Sequence, residues 1–167
     1  AEFQALTRKG YLQPFRTLSE VATFVGHEPV ISETFVIEKD RPDGTTKKRF
    51  ILNLKSSGIS GASNKCERIL LPTPLDVIWD SLELLGSRRA GETVRYFVVD
   101  YKDAFWQIPS MPVEQKYTVT KVAGIFYVFL RLAQGSVGAP TGWGRLSALT
   151  SRLGQSSVHR CEARINT

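Results

Sequence analysis

Residues 96–107, Tyr-Phe-Val-Val-Asp-Tyr-Lys-Asp-Ala-Phe-Trp-Gln, constrain this chain more than any other stretch. The run from Val94 to Val99 is rich in β-branched and aromatic residues and predicts a buried strand. It ends abruptly in Asp100, and a second carboxylate, Asp103, and a bulky ring, Phe105, follow closely. A carboxylate at the end of a buried strand is costly unless something pairs with it. A hard divalent cation is one such partner, since Mg²⁺ takes one or two carboxylates plus substrate phosphates. The other reading of the same residues is an ordinary strand end, where Asp100 caps the following turn.

Composition narrows the classes. The chain has 167 residues, 42% hydrophobic and 23% charged, which suits about one globular domain. Its longest apolar run, Gly124 to Leu130, is strand-sized, far below the ~18 residues of a membrane span. The opening residues Ala1-Glu2-Phe3-Gln4 lack a basic region and an apolar core, so no signal peptide is expected. Cys66 and Cys161 stand far apart with no Cys-x-x-Cys, which favours a reducing, intracellular setting over a disulfide framework. Zinc held by His27, Cys66, His159 and Cys161 fits no common spacing. Net charge is +6, with basic residues concentrated at Lys39, Arg41, Lys47, Lys48, Arg49 and Lys55, and again at Arg131, Arg145, Arg152, Arg160 and Arg164. Such patches suit phosphate backbones, or a plain solvated surface.

Local signals predict an α+β order, a largely antiparallel sheet backed by helices. Thr17 to Phe24 reads as a short helix with Thr17 or Ser19 as cap. Thr34-Phe-Val-Ile-Glu and Lys48-Arg-Phe-Ile-Leu-Asn-Leu-Lys read as strands joined through Arg41-Pro42-Asp43-Gly44, making a basic hairpin. Ser56 to Asn64 reads as loop. Thr73-Pro74-x-Asp76 starts a helix whose Leu75, Ile78, Trp79, Leu82 and Leu85 form a core-facing stripe, closed at Gly86. Asp103 to Ile108 reads as a helical turn stopped by Pro109 and Pro112. Tyr117 to Val122 and Ile125 to Arg131 form a second hairpin through Ala123-Gly124. Ala133 to Gly138 is a glycine-rich loop, and Pro140 opens a helix with Trp143, Leu146, Leu149 and Leu153 on one face. Alternation over 160–166 predicts a last strand.

Taken in order, Val98-Val-Asp-Tyr-Lys-Asp-Ala-Phe-Trp-Gln-Ile-Pro, Gln115-Lys-Tyr-Thr, Phe129-Leu-Arg-Leu-Ala-Gln-Gly-Ser and Ala139-Pro140 resemble the reverse transcriptases, retrotransposon members above all. The resemblance covers about Lys47 to Leu153, and the first thirty or so residues match less well. It implies a single domain over residues 1–167, the fingers and palm of a right-hand polymerase, with about 1–95 and 108–140 mostly fingers and 96–107 and 141–167 palm. It implies RNA-directed DNA synthesis from dNTPs on a template–primer, with Asp100 as the catalytic ligand of two Mg²⁺ ions. Asp103, Ala104 and Phe105 would lie at the incoming nucleotide, Phe105 excluding a 2′-hydroxyl. Gln134 and Gly135 would meet the nucleotide and template, Arg49 a phosphate, and Lys55, Lys47, Lys48, Arg41 and Pro140 the nucleic acid.

The pattern also departs from the family. Asn53 stands where Asp is usual, Lys55 where Arg is usual and Gly58 where Asn is usual. Arg and Lys are not interchangeable at bidentate contacts. The family's second catalytic motif, aromatic-x-Asp-Asp, does not follow, since Asp103 is the last Asp in the chain. The expectation is therefore a truncated polymerase piece, inactive alone, with weak or no Mg²⁺ binding. The alternative is a catalytically dead derivative serving as an RNA-binding or structural subunit among proteins of a larger assembly. A serine hydrolase built on Ser136, His159 and Asp100 lacks the Gly-x-Ser-x-Gly register, because Gln134 stands two before Ser136.

Overall fold

The computed structural model describes residues 2–64, 69–158 and 163. The chain divides into two compact units, Ala1–Cys66 with Asp103–Pro140, and Glu67–Lys102 with Thr141–Thr167. The architecture is α+β with small antiparallel sheets, as the local signals predict.

The first unit is built on a three-stranded sheet of order β1-β5-β4, with β1 Leu12–Phe15, β4 Val119–Val122 and β5 Ile125–Phe129. The central strand β5 is apolar throughout because both of its faces are covered. Val128, with Val119 of β4, packs under Val21 and Val25 of helix α2, Leu18–Val25. Tyr127 and Phe129 face the other way, onto Phe3 of helix α1, Glu2–Arg8, and onto Leu12, Leu52, Leu54 and Trp106. This period-2 split is what an alternating pleat requires. The turn between β4 and β5 places Ala123 at φ 49° and Gly124 at φ 82°, the paired left-handed geometry of a tight hairpin. Helix α2 begins with a complete capping box. Thr17 accepts from the Glu20 backbone N–H, while the Glu20 carboxylate accepts from the backbone N–H groups of Arg16 and Thr17.

A separate hairpin pairs β2, Glu33–Asp40, with β3, Thr46–Asn53, in register Glu33↔Asn53 through Asp40↔Thr46. It is joined to β4 by the Ser32 N–H donating to the Val119 carbonyl and by a hydroxyl bond of Thr34 to buried Thr120. Part of the stretch read as loop after β3 is a short helix α3, Ile59–Ala62. The N-terminal α1 and β1 carry no expectation from sequence. Strand β1 lies at the sheet edge, where Pro14 needs no donor on its open side.

In the second unit, helix α4 runs over Pro74–Ser87, with the Asp76 carboxylate accepting from the Thr73 backbone N–H and hydroxyl. Helix α5 runs over Gly138–Ser156, its residues to Pro140 belonging to the first unit. Two expectations fail here. Residues 94–100 form no strand, and Phe97 and Val98 are 90% and 95% exposed. Apolar content favours burial, but a strand also needs a neighbouring backbone, and no described residue of this unit forms a strand. The stripe of α4 is not core either. Leu75, Ile78, Trp79, Leu82 and Leu85 are all exposed, as are Leu146, Leu149 and Leu153 of α5. Both helices keep the amphipathic spacing without a described layer to bury it. The strand predicted over 160–166 lies outside the described residues, Ala163 excepted, and Ala163 is not in a strand. No helix of the described residues is long and apolar enough to cross a membrane.

Candidate nucleotide and nucleic-acid interface

The basic hairpin sorts its charges by pleat. Glu38 and Lys48 stand opposite each other on one face and form an ion pair of 2.7 Å, and that hydrogen bond raises the Lys48 pKa. On the other face Lys39 stands directly opposite Lys47, and Arg49 opposite Ile37. Like charges in direct register repel. Among the described residues Lys39, Lys47 and Arg49 have no ion pair, so this face offers cations to an outside anion. The neighbouring acids are engaged: Asp40 accepts from the Thr46 hydroxyl, and Asp43 accepts from the backbone N–H and hydroxyl of Thr45. The Thr45 hydroxyl, foremost, holds the Asp43 pKa below the usual carboxylate range. Arg41 sits exposed at the turn and Lys55 exposed just past β3.

The glycine-rich loop docks on this hairpin. The Leu52 N–H donates to the Gln134 carbonyl at 2.8 Å. Gly135 has φ +104°, and a methyl group there would run into the Leu52 carbonyl oxygen and lie 3.2 Å from Ile51 Cγ2. Ile51 shares the pleat face of Arg49, so the loop backbone reaches β3 beside the open cations. Gln134 is half-buried and Gly135 exposed.

The turn carrying Asp103, Ala104 and Phe105 belongs to the same unit. Segments 108–110 and 130–132 run antiparallel, through Ser110 N–H to Leu130 O at 2.9 Å, the bridge Pro109↔Arg131, and Leu132 N–H to Ile108 O at 3.0 Å. Trp106 and Ala133 share one buried cluster. Ala104–Gln107 is a 3-10 turn entered through Asp103 in the left-handed region at φ 56°. Trp106 stacks between Tyr11, at 5.4 Å, and Phe129, at 5.7 Å. The Lys9 ammonium donates to the Asp103 carboxylate at 2.7 Å and lies 5.5 Å from the Tyr11 ring centroid. The Asp103 hydrogen bond raises the Lys9 pKa, burial opposing it. Lys9 and Tyr11 were not singled out from sequence. No spacing links them to Asp103 and Trp106; only the folded chain does.

The first unit contains Arg49, Lys47, Gln134, Gly135, Asp103, Ala104 and Phe105, with Lys48 turned to Glu38; within it the Gln134–Gly135 loop is seated on β3. Asp100 belongs to the second unit, where it is exposed and outside regular structure, rather than at the end of a buried strand. Pro140 is exposed within α5. Among the described residues no three His, Cys, Asp or Glu side chains gather as a metal-binding group. Asp103 is held by Lys9, and Asp100, the metal ligand that the resemblance implies, is the single carboxylate offered to the ions. That donor set does not fit a two-ion Mg²⁺ clamp, which requires carboxylates from more than one position. The zinc and serine-hydrolase alternatives both need His159, and the former Cys66 and Cys161 as well; all three lie outside the described residues. No protein-family model matches the chain, and no curated protein matches it.

Proposed function

We propose that this chain is a reverse-transcriptase-type polymerase piece that binds template–primer and the incoming dNTP through its first unit and does not by itself extend a primer. One observation carries the reading: the Gln134–Gly135 loop seats on β3 through the Leu52 N–H, beside the pleat face of Arg49. Leu52 and Gln134, about eighty positions apart, are hydrogen-bonded in the fold, and Leu52 lies on the strand that carries Arg49, which the resemblance assigns to the same pocket as Gln134. Trp106, next to Phe105, shares a buried cluster with Ala133, next to Gln134, which supports it further.

Primer extension by the 167-residue chain with Mg²⁺ and dNTPs tests this. The expected result is template–primer binding without extension. Extension that disappears in Asp100→Asn would overturn the claim of incompetence. A second reading draws on the open cations Lys39, Lys47 and Arg49: an RNA-binding subunit that has no use for nucleotides. Its affinity would fall with salt, as phosphate contacts dictate, and would ignore dNTP.

A further inference from the structure

Phe105 is the residue on which sugar discrimination rests in the proposed function, and its backbone is anchored from both sides by the N-terminal segment. On one side Asp103 holds an αL conformation, φ 56°, that a non-glycine residue keeps only when its surroundings enforce it. Its carboxylate is clamped by Lys9 at 2.7 Å. On the other side Trp106 is 6% exposed and stacks on Tyr11 with ring planes 9° apart. Lys9 and Tyr11 lie in one short stretch, and Lys9 also sits against the Tyr11 ring at 5.5 Å from its centroid. The stretch is itself fixed, with the Tyr11 N–H donating to the Leu6 carbonyl and the Leu130 N–H to the Tyr11 carbonyl.

We propose that Lys9 is a positioning residue for sugar selection: by clamping Asp103 it fixes the direction of the 103–106 turn and so the placement of the Phe105 ring. This rests on the proposed function, because the ring is given its role by that reading. Lys9 touches no substrate in this account. It acts through Asp103, while Tyr11 and Trp106 hold the other end of the turn. A half-exposed ion pair contributes little to global stability, so the consequence of losing it is local.

The test uses the full chain with template–primer, comparing the wild type with Lys9→Ala, Lys9→Arg and Lys9→Ala/Asp103→Asn. Equilibrium binding of dATP and of ATP gives the ratio of their dissociation constants. Backbone amide exchange at residues 104–108 is measured on the free chain. In Lys9→Ala, dATP is expected to bind nearly as in the wild type, while discrimination against ATP falls severalfold, short of the roughly hundredfold that a full 1 Å misplacement can cost. Exchange at 104–108 is expected to speed up and the melting temperature to hold. Lys9→Arg restores the ratio by keeping the charge. In Lys9→Ala/Asp103→Asn, exchange at 104–108 is expected to match that of Lys9→Ala, since the clamp is absent in both. An unchanged ratio in Lys9→Ala overturns the proposal, as does a loss of dATP and ATP binding by the same factor. If the wild type binds neither nucleotide, the proposed function is what fails, and sugar selection falls with it. Exchange rates that then rise in Lys9→Ala retain the clamp as a feature of the fold; unchanged rates remove that too.

Discussion

Gly135 shows how one residue couples the candidate site to the fold. Its φ of +104° lies where side chains are strained, and its backbone abuts the Leu52 carbonyl. Both conditions arise because the loop must approach β3 closely enough for the Leu52 N–H to reach the Gln134 carbonyl. Gly135→Ala is therefore expected to cost roughly 1–3 kcal/mol from backbone strain alone. Denaturant unfolding followed by Trp fluorescence checks this. Nucleotide affinity should fall more steeply than stability, because the loop moves away from Arg49. A variant as stable as the wild type would show that the loop is not seated on β3. Lys9 makes the complementary point. Its partner, Asp103, is 94 positions away, and no motif connects them.

At the scale of elements, caps and turns carried most of the legible information. Thr17, one of the two caps read there, marks the start of α2, Thr73, Pro74 and Asp76 the start of α4, and Arg41-Pro42-Asp43-Gly44 and Ala123-Gly124 the two hairpin turns. Each works through neighbours in sequence, so sequence suffices to read it. What failed were inferences about partners. The Val94–Val99 run and the α4 stripe have apolar spacing, but spacing does not say which surface will cover them. Strand β1 went unread because Pro14 argues against a strand unless the edge position is known.

The α4 cap also has a pH signature. The Thr73 backbone N–H, foremost, and its hydroxyl hold the Asp76 pKa below the ordinary 3.8. The folded form therefore prefers the carboxylate charged. This contribution is fully present above the unfolded value of about 4 and is lost as pH falls through the lower folded value. Far-UV ellipticity should show wild-type helix content declining as pH drops below about 4. Asp76→Asn should begin with less helix at neutral pH and change less on acidification. Superimposable acid profiles for the two proteins would contradict the capping role.

For the whole molecule, the net charge of +6 and the sorting of hairpin charges onto two faces are the features on which the proposed nucleic-acid partner rests. The order of motifs was legible along the chain, and so was the list of candidate residues. Their surroundings were not: only the folded chain seats the Gln134–Gly135 loop on β3 and puts Trp106 and Ala133 into one buried cluster. Asp100, the residue most conspicuous in sequence, lies in the other unit and stands exposed. The decisive measurement is the affinity of the full chain for a template–primer, titrated with and without the complementary dNTP at fixed salt. A polymerase-type site should bind the duplex more tightly when the dNTP is present. Arg49→Ala should lose that increment while keeping most of the nucleotide-free affinity. Binding that depends on salt but is indifferent to the dNTP would contradict the assignment.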